Sequence, residues 1–294
     1  MPAMKILAID GGGIRGLIPA LVLAEIEKRT GRPISTLFDL VAGTSTGAII
    51  ACALTHPRPM PANRVAAIYE QEGPQIFDAS LLKTFTSLGG VIDERYDDRE
   101  LVSSLQRHLG DARLGEAVTG ILVTVYDLEA RRAMVLRGDD DVSMVDAAHA
   151  SSAAPTYFEP VRLGARTLID GGAFAINPAI LAYAEATGRI DVLASLGTGE
   201  HTRRLPYDEV KDWGQIEWAR PIIDVVFDGS ADVVDAVLQR LVDGSYIRLQ
   251  TRLEEASDDL DDASPENLAA LRREAERLIA RRSADIDRLC ALVT

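Results

Sequence analysis

Three short stretches of this 294-residue chain combine residue types suited to acyl chemistry. The first is "GTSTG", Gly43 to Gly47, with Ser45 at its centre. An apolar run precedes it and a helical pattern follows. A serine on such a strand–turn–helix bend stands exposed as a nucleophile, and small flanking residues spare the neighbouring backbone. Ser and Thr also cap helices, but a cap alone does not explain Gly43 and Gly47. The second stretch is "LIDGG", Leu168 to Gly172, in which Asp170 ends a short extended run ahead of Gly171 and Gly172. Alone, Asp-Gly is a common turn. The third is "DGGGIRG", Asp10 to Gly16. Its Gly11-x-Gly13-x-x-Gly16 spacing also fits a dinucleotide-binding turn. That turn expects an acidic residue at the end of the next strand. Here Asp39 opens the next apolar run, which ends at Gly43.

Taken together, the three supply the parts of an acyl-transfer site. Ser45 is the nucleophile and Asp170 the base. The N–H groups of Gly11, Gly12 and Gly13, at the start of a helix, are donors to a developing oxyanion. Three glycines would let a tetrahedral intermediate approach with no Cβ in its way. Of the four histidines, His56, His108, His149 and His201, only His201 follows Asp170. Ser45–Asp170–His201 therefore keeps the chain order of a conventional hydrolase triad. His201 sits in the polar run "GEHTRR", which reads as a surface loop, and His149 reads as a packed residue on a helix. Arg15 reads as a cation that orders the glycine loop, with a place beside a lipid head group as the alternative.

These residues need elements to carry them. "KILAI" and "FDLVAG" are short apolar runs of strand type, followed by helical patterns in "RGLIPALVLAEIEKRTG" and "TGAIIACALT". "GILVTVYDL" with "RAMVLRG", and "TYFEPVRLG" with "RTLID", read as paired strands. "MVDAAHASSAA" and "NPAILAYAEATG" read as helices and "IDVLASLGTG" as a strand ending in a loop shaped by Gly197 and Gly199. Alternating strands and helices predict an α/β fold with a mostly parallel sheet covered on both faces. After residue 210 the chain turns helical around one strand, "SYIRLQ", with "EEASDDLDDASPEN" as a solvated acidic connector. The apolar stretch with Ile76, Phe77, Leu81, Leu82, Phe85, Leu88, Val91 and Ile92 reads as core, or as the lining of an acyl channel. Gly89 and Gly90 would lend it a flap.

Composition narrows the function. The net charge of -14 opposes nucleic-acid binding, which needs Lys and Arg to replace counterions, and opposes polybasic docking on anionic membranes. The two cysteines, Cys52 and Cys290, have neither metal nor disulfide-framework spacing. The first ten residues are too poor in apolar side chains for a signal peptide, so a soluble cytoplasmic protein is expected.

The three motifs, in this order, resemble those of the patatin-like acyl hydrolases. The similarity to plant patatins continues through "SSAAPTYFEP", "LASLGTG", "DWGQIEW", "YIRLQ" and "DDASPENLAAL". The resemblance implies a single domain over residues 1–294, with a catalytic core at about 5–200 and a helical part at about 210–294. It implies a three-layer α/β/α sandwich related to cytosolic phospholipase A2. It also implies a Ser–Asp dyad of Ser45 and Asp170, an oxyanion loop of Gly11, Gly12, Gly13, Ile14, Arg15 and Gly16, and motif glycines Gly43, Gly47, Gly171 and Gly172. The substrate implied is a lipid or other acyl ester, reached through peripheral contact with a membrane or micelle, with no cofactor and no metal.

Overall fold

The computed structural model describes residues 3–77, 82–86, 92–218, 221–242 and 244–294. Strand β1 (Met4–Ile9) leads through a 3-10 turn (Gly13–Gly16) into α1 (Leu17–Thr30). Gly31 ends α1 with φ 67°, and its N–H donates to Glu27 O, as a left-handed C-cap does. Strand β2 (Leu40–Gly43) turns through Ser45 into α2 (Thr46–Thr55). Next come α3 (Ala62–Ile76), the antiparallel strands β3 (Leu82–Thr86) and β4 (Ile92–Tyr96), and α4 (Arg99–Leu109). Strands β5 (Gly120–Asp127) and β6 (Arg132–Arg137) form one hairpin; β7 (Val161–Leu163) and β8 (Arg166–Asp170) form another beyond α5 (Met144–Ser151). Then follow α6 (Gly172–Ala175), α7 (Ala179–Glu185), β9 (Ile190–Leu196), α8 (Tyr207–Val210), α9 (Gln215–Trp218), α10 (Pro221–Leu241), β10 (Tyr246–Leu249), α11 (Pro265–Arg281) and α12 (Ser283–Val293).

The main sheet runs β10-β9-β1-β2-β5-β8-β7, with β6 also on β5. From β10 to β5 every pair is parallel; β8, β7 and β6 join antiparallel. Side chains alternate between its faces. Leu7, Ile9, Val41 and Val123 pack with α2, α5 and α12 on one side. Ile6, Ala8, Ala42 and Leu122 pack with α7 and α10 on the other. The result is the expected α/β/α layering.

The register of β5 positions the chemistry. One edge of β5 pairs with β6 from Leu122 to Asp127. The other edge is shared. Strand β2 occupies it up to Gly43 opposite Val123, and β8 occupies it from the far end up to Asp170 opposite Val125. The two strands arrive from opposite directions and stop with only Thr124 between their ends. Ser45, two residues beyond Gly43, is thereby delivered to Asp170.

Two expectations change. The C-terminal helical run is two helices, broken at Arg282 between α11 and α12. The acidic connector is not simply solvated: Leu260 is buried, and the carbonyl oxygens of Leu260 and Asp258 accept hydrogen bonds from Ile14 N–H (2.9 Å) and Arg15 Nη1 (3.2 Å). Of the apolar stretch, Leu81, Leu88, Gly89, Gly90 and Val91 lie outside the described residues. Among the described residues no helix is long and apolar enough to cross a membrane.

The bend after β2 is packed backbone to backbone. A Cβ on Gly43 would lie 2.2 Å from Gly47 O, and one on Gly47 would lie 2.1 Å from Ile9 O. At Gly31 nothing stands within 4 Å of that position, so only the backbone angle resists a side chain. Gly43→Ala and Gly47→Ala should each destabilise the protein by about 3 kcal/mol or more, since overpacked backbone cannot yield. Gly31→Ala should cost only about 1 kcal/mol, the ordinary penalty of a left-handed non-glycine residue. Urea denaturation of the three variants measures the difference; equal losses would refute the steric account.

Candidate active site

Ser45 sits on the bend with φ 55° and ψ -123°, a backbone conformation that a residue with a Cβ rarely adopts. Buried hydrogen bonds hold it there. Ser45 N–H donates to Ser151 Oγ (2.8 Å), and the Ser151 hydroxyl donates to Thr124 O (2.7 Å). On the neighbouring residue, Thr124 Oγ1 donates to Thr44 Oγ1 and Thr44 Oγ1 to Ala175 O, each at 2.7 Å. Helix α5, strand β5 and the end of α6 thus fix the bend from three sides. The alternative role of Ser45 as a helix cap is not taken up, because its side chain forms no cap hydrogen bond.

Asp170 closes the other half of the site. It is 1% exposed, and its own N–H donates to Ala153 O (3.0 Å). Oδ1 accepts from Gly172 N–H (2.7 Å), while Oδ2 is buried without a hydrogen-bond partner among the described residues. Burial pushes the carboxyl up to about 7; the Ser45 hydroxyl and Gly172 N–H pull the other way. Gly171 is required by the approach of β5, since a Cβ there would lie 2.2 Å from Thr124 Oγ1. At Gly172 it would lie 2.9 Å from both Ile176 and Phe227.

The glycine loop is crowded rather than open. A Cβ on Gly11 would meet Ile176 Cδ1 at 2.4 Å, one on Gly12 Thr198 Oγ1 at 2.3 Å, and one on Gly13 Leu260 O at 2.2 Å. The expectation that the missing side chains make room for substrate is therefore corrected: the protein itself fills those positions. The N–H groups divide in the same way. Gly11 N–H donates to Ile176 O, Ile14 N–H to Leu260 O and Arg15 N–H to Gly12 O. Neither Gly12 nor Gly13 N–H has such a backbone acceptor among the described residues, and both residues line the cavity that contains Ser45 and Asp170. Gly16 packs against Thr46, whose hydroxyl makes a short hydrogen bond to Tyr69 OH.

That cavity has an empty volume of about 820 Å³, its mouth included. Its walls are mostly apolar, with Ile49, Ile76, Phe77, Leu105, Phe158 and Phe227 among them. Such a pocket with a few converging polar groups suits an acyl chain whose ester lies at Ser45. Ile76 and Phe77 were candidates from the sequence. The walls from α2, α4 and α10 come from distant segments, and Leu260 comes from the acidic connector.

His201 is not brought to the pair. Its Nδ1 bonds Asp228 (2.8 Å), and it lines a separate polar cavity behind the glycine loop with Arg15 and Arg248. Its side chain is only 10% exposed, so the surface position expected for it is corrected too. Arg15 is buried in that same region, tied to Asp258 O near the carboxylates of Asp224 and Asp228. His149 stands against Asp98 at 3.1 Å. The thiol of Cys52 is buried and pushed up to about 12, which leaves it inert.

Known proteins are similar to this chain in sequence. The Patatin family model, described as patatin-like phospholipase, matches residues 7–183. "Patatin-like protein 2" of Arabidopsis thaliana is 32% identical over 97% of this chain and 84% of its own length. "Probable inactive patatin-3-Kuras 1" of Solanum tuberosum is 27% identical over 94% of this chain and 86% of its own. The crystal structure of VipD from Legionella pneumophila aligns with a TM-score of 0.44 at 11% identity, over 95% of this chain and 67% of that one. The family match takes in both strands that carry Ser45 and Asp170, and the relatives span nearly the whole chain: the protein belongs to the patatin-like phospholipase family, hydrolases that cleave acyl ester bonds of lipids.

Proposed function

We propose that this chain hydrolyses fatty acyl esters of glycerolipids and phospholipids through a dyad of Ser45 and Asp170, with Gly12 and Gly13 N–H as the oxyanion donors. The observation that carries this reading is the end-on meeting of β2 and β8, which sets a strained serine beside a buried, half-unpaired carboxylate. Asp170 takes the Ser45 proton as Oγ attacks the acyl carbonyl. The oxyanion that forms is held by the two free N–H groups, each worth about 3 kcal/mol in such sites. Asp170 returns the proton to the departing alcohol, leaving an acyl-serine. Water then attacks with Asp170 again as base, which frees the fatty acid and restores the hydroxyl. An unperturbed carboxyl, near pKa 3.9, is a weak base toward a serine hydroxyl; burial brings Asp170 to the working range.

Ser45→Ala should lower kcat/KM on a short-chain p-nitrophenyl ester by about 10⁴-fold or more and abolish fluorophosphonate labelling. Asp170→Asn should lose about 10³-fold, because an amide accepts no proton. His201→Ala should stay within about threefold of wild type, since it acts on neither group. If His201→Ala were as crippled as Ser45→Ala, a triad would replace the dyad. The same assay on micellar phosphatidylcholine tests the lipid substrate.

The pH dependence has a defined sign. Only ionised Asp170 can accept the proton, so kcat/KM should rise with pH through a midpoint near 7 and flatten above it. A midpoint near 4 would show that Asp170 is not the base.

Stability runs the opposite way. The folded protein keeps a proton on Asp170 that the unfolded chain releases above its ordinary value of 3.8. The stability this gives is present below that pH and is lost as pH rises through about 7. Asp170→Asn should therefore be more stable than wild type at pH 8, by at most about 4 kcal/mol, and should show no such gain at acid pH. Thermal denaturation at both pH values reads this, and a variant less stable at pH 8 would contradict it.

A further inference from the structure

Asp10 opens the "DGGGIRG" stretch and Arg248 stands in "YIRLQ", yet the hydrolytic steps use neither. The two side chains meet. Arg248 Nη1 donates to Asp10 Oδ1 (3.0 Å) and Nη2 to Oδ2 (2.6 Å), the two-pronged grip of an arginine fork on a carboxylate. A whole strand lies between them. The main sheet runs β10-β9-β1 there, and Arg248, Ser195 and Ala8 form one row across it. Arg248 crosses β9 along that row, donates to Ser195 Oγ on the way (2.8 Å), and ends on the residue that follows β1. The side chains of Arg248 and Asp10 are 12% and 4% exposed.

Burying such a pair is a costly way to hold strands together. Withdrawing both charges from water costs about what their attraction returns, and apolar residues in the same volume often do as well or better. The neighbours on this face, Ile6, Ala8, Ala42 and Leu193, are apolar, as packing alone would ask. An arginine fork supplies what an apolar contact does not, which is direction: it fixes the plane of the carboxylate at two points.

Direction matters at this point in the chain. Asp10 is the last residue with a side chain before Gly11, Gly12 and Gly13. A glycine backbone adopts many conformations, so the aim of the Gly12 and Gly13 N–H groups depends on how the two ends of the run are held. The far end is held by Ile14 N–H on Leu260 O. At the near end, Gly11 N–H donates to Ile176 O (2.9 Å) and Thr198 Oγ1 donates to Gly11 O (2.7 Å). Each of these is a single bond about which a peptide can turn. The grip on Asp10 removes that freedom. Ser195 Oγ in turn donates to Asn177 Oδ1 (3.4 Å), so the same guanidinium also braces the segment whose Ile176 carbonyl receives Gly11.

On the reading that Ser45 and Asp170 form the dyad and Gly12 and Gly13 supply the oxyanion donors, we propose that Asp10 and Arg248 are positioning residues whose pairing aims those two N–H groups at the oxyanion. Arg248→Met and Asp10→Asn should each lower kcat on a short-chain p-nitrophenyl ester by about 30- to 100-fold with KM within about threefold of wild type, because a misplacement of about 1 Å costs on the order of 10²-fold. A trifluoromethyl ketone, to which Ser45 Oγ adds to give a hemiketal oxyanion, should lose affinity by a like factor. Decanoate, which forms no such oxyanion, should bind as to wild type. Arg248→Lys, a point charge in place of a fork, should recover kcat only in part. The double variant Asp10→Asn/Arg248→Met leaves no buried charge at the row. Its melting temperature should exceed that of Arg248→Met, while its kcat stays as low as in either single variant. Circular dichroism checks that each variant is folded, and if Arg248→Met is not, the double variant and Arg248→Lys carry the same comparison. Recovery of kcat together with stability in the double variant would make the pair a structural tie and overturn the proposal. A wild-type kcat in Arg248→Met, with Ser45→Ala inactive, would overturn it and leave the dyad standing. A Ser45→Ala protein as active as wild type would overturn the dyad and this proposal together.

Discussion

One edge of β5 serves two strands, and the site depends on that sharing. A strand edge offers a single row of hydrogen-bonding groups, so β2 and β8 can both use it only if each stops where the other begins. They stop at Val123 and Val125. The interval is one residue, Thr124, whose carbonyl and hydroxyl both anchor the bend that holds Ser45. Because β8 runs antiparallel, its C-terminal end points at that of β2 instead of lying beside it. Two loops leaving strands head to head have little space for side chains, and Gly171 accordingly sits against Thr124. Gly43 and Gly47 answer a different crowding: Gly43 packs on Gly47 within the bend, and Gly47 on Ile9 of β1.

Proximity alone would not make a base of an aspartate. The second ingredient is dryness. Apolar walls from α2, α3, α4 and α10 surround the pair, and Asp170 receives one backbone N–H where a solvated carboxylate would have several partners. Burial raises its proton affinity, and the Ser45 hydroxyl and Gly172 N–H offset only part of that rise. In the proposed mechanism the same walls form the volume that holds the acyl chain. Desolvating the base and binding the substrate are therefore one structural act, and the polar cavity with His201, Arg15 and Arg248 is kept on the far side of the glycine loop.

Much of this was legible in the residues. Strand–bend–helix around Ser45 was readable because apolar periodicity and paired glycines are local signals. The hairpins of β5 with β6 and of β7 with β8 were readable for the same reason. The antiparallel course of β8 beside a parallel sheet was not, since strand direction depends on which neighbour is chosen. The glycines stand out in the sequence as a triplet, but the reason for them does not: the atoms at 2.2–2.4 Å from their missing side chains belong to Ile176, Thr198 and Leu260, far away in the chain. "EEASDDLDDASPEN" looked solvated because its carboxylates are, while its contribution to the site is made by the carbonyls of Asp258 and Leu260, which composition does not report. His201 looked exposed for the same reason, and its partner Asp228 is on a helix 27 residues away.

The unpaired Oδ2 of Asp170 has a consequence over evolutionary time. Under the proposed mechanism the chain carries a residue whose ionisation above about pH 7 weakens the folded state, kept in place by selection for hydrolysis. Most sequence drift in proteins is held back by loss of stability. If Asp170 is the base proposed above, the two pressures are opposed here: a neutral substitute for it would end catalysis and strengthen the fold together. Where a descendant of such a gene is no longer needed for hydrolysis, inactivation at this position runs downhill. The product would be a folded protein without turnover that keeps its apolar cavity.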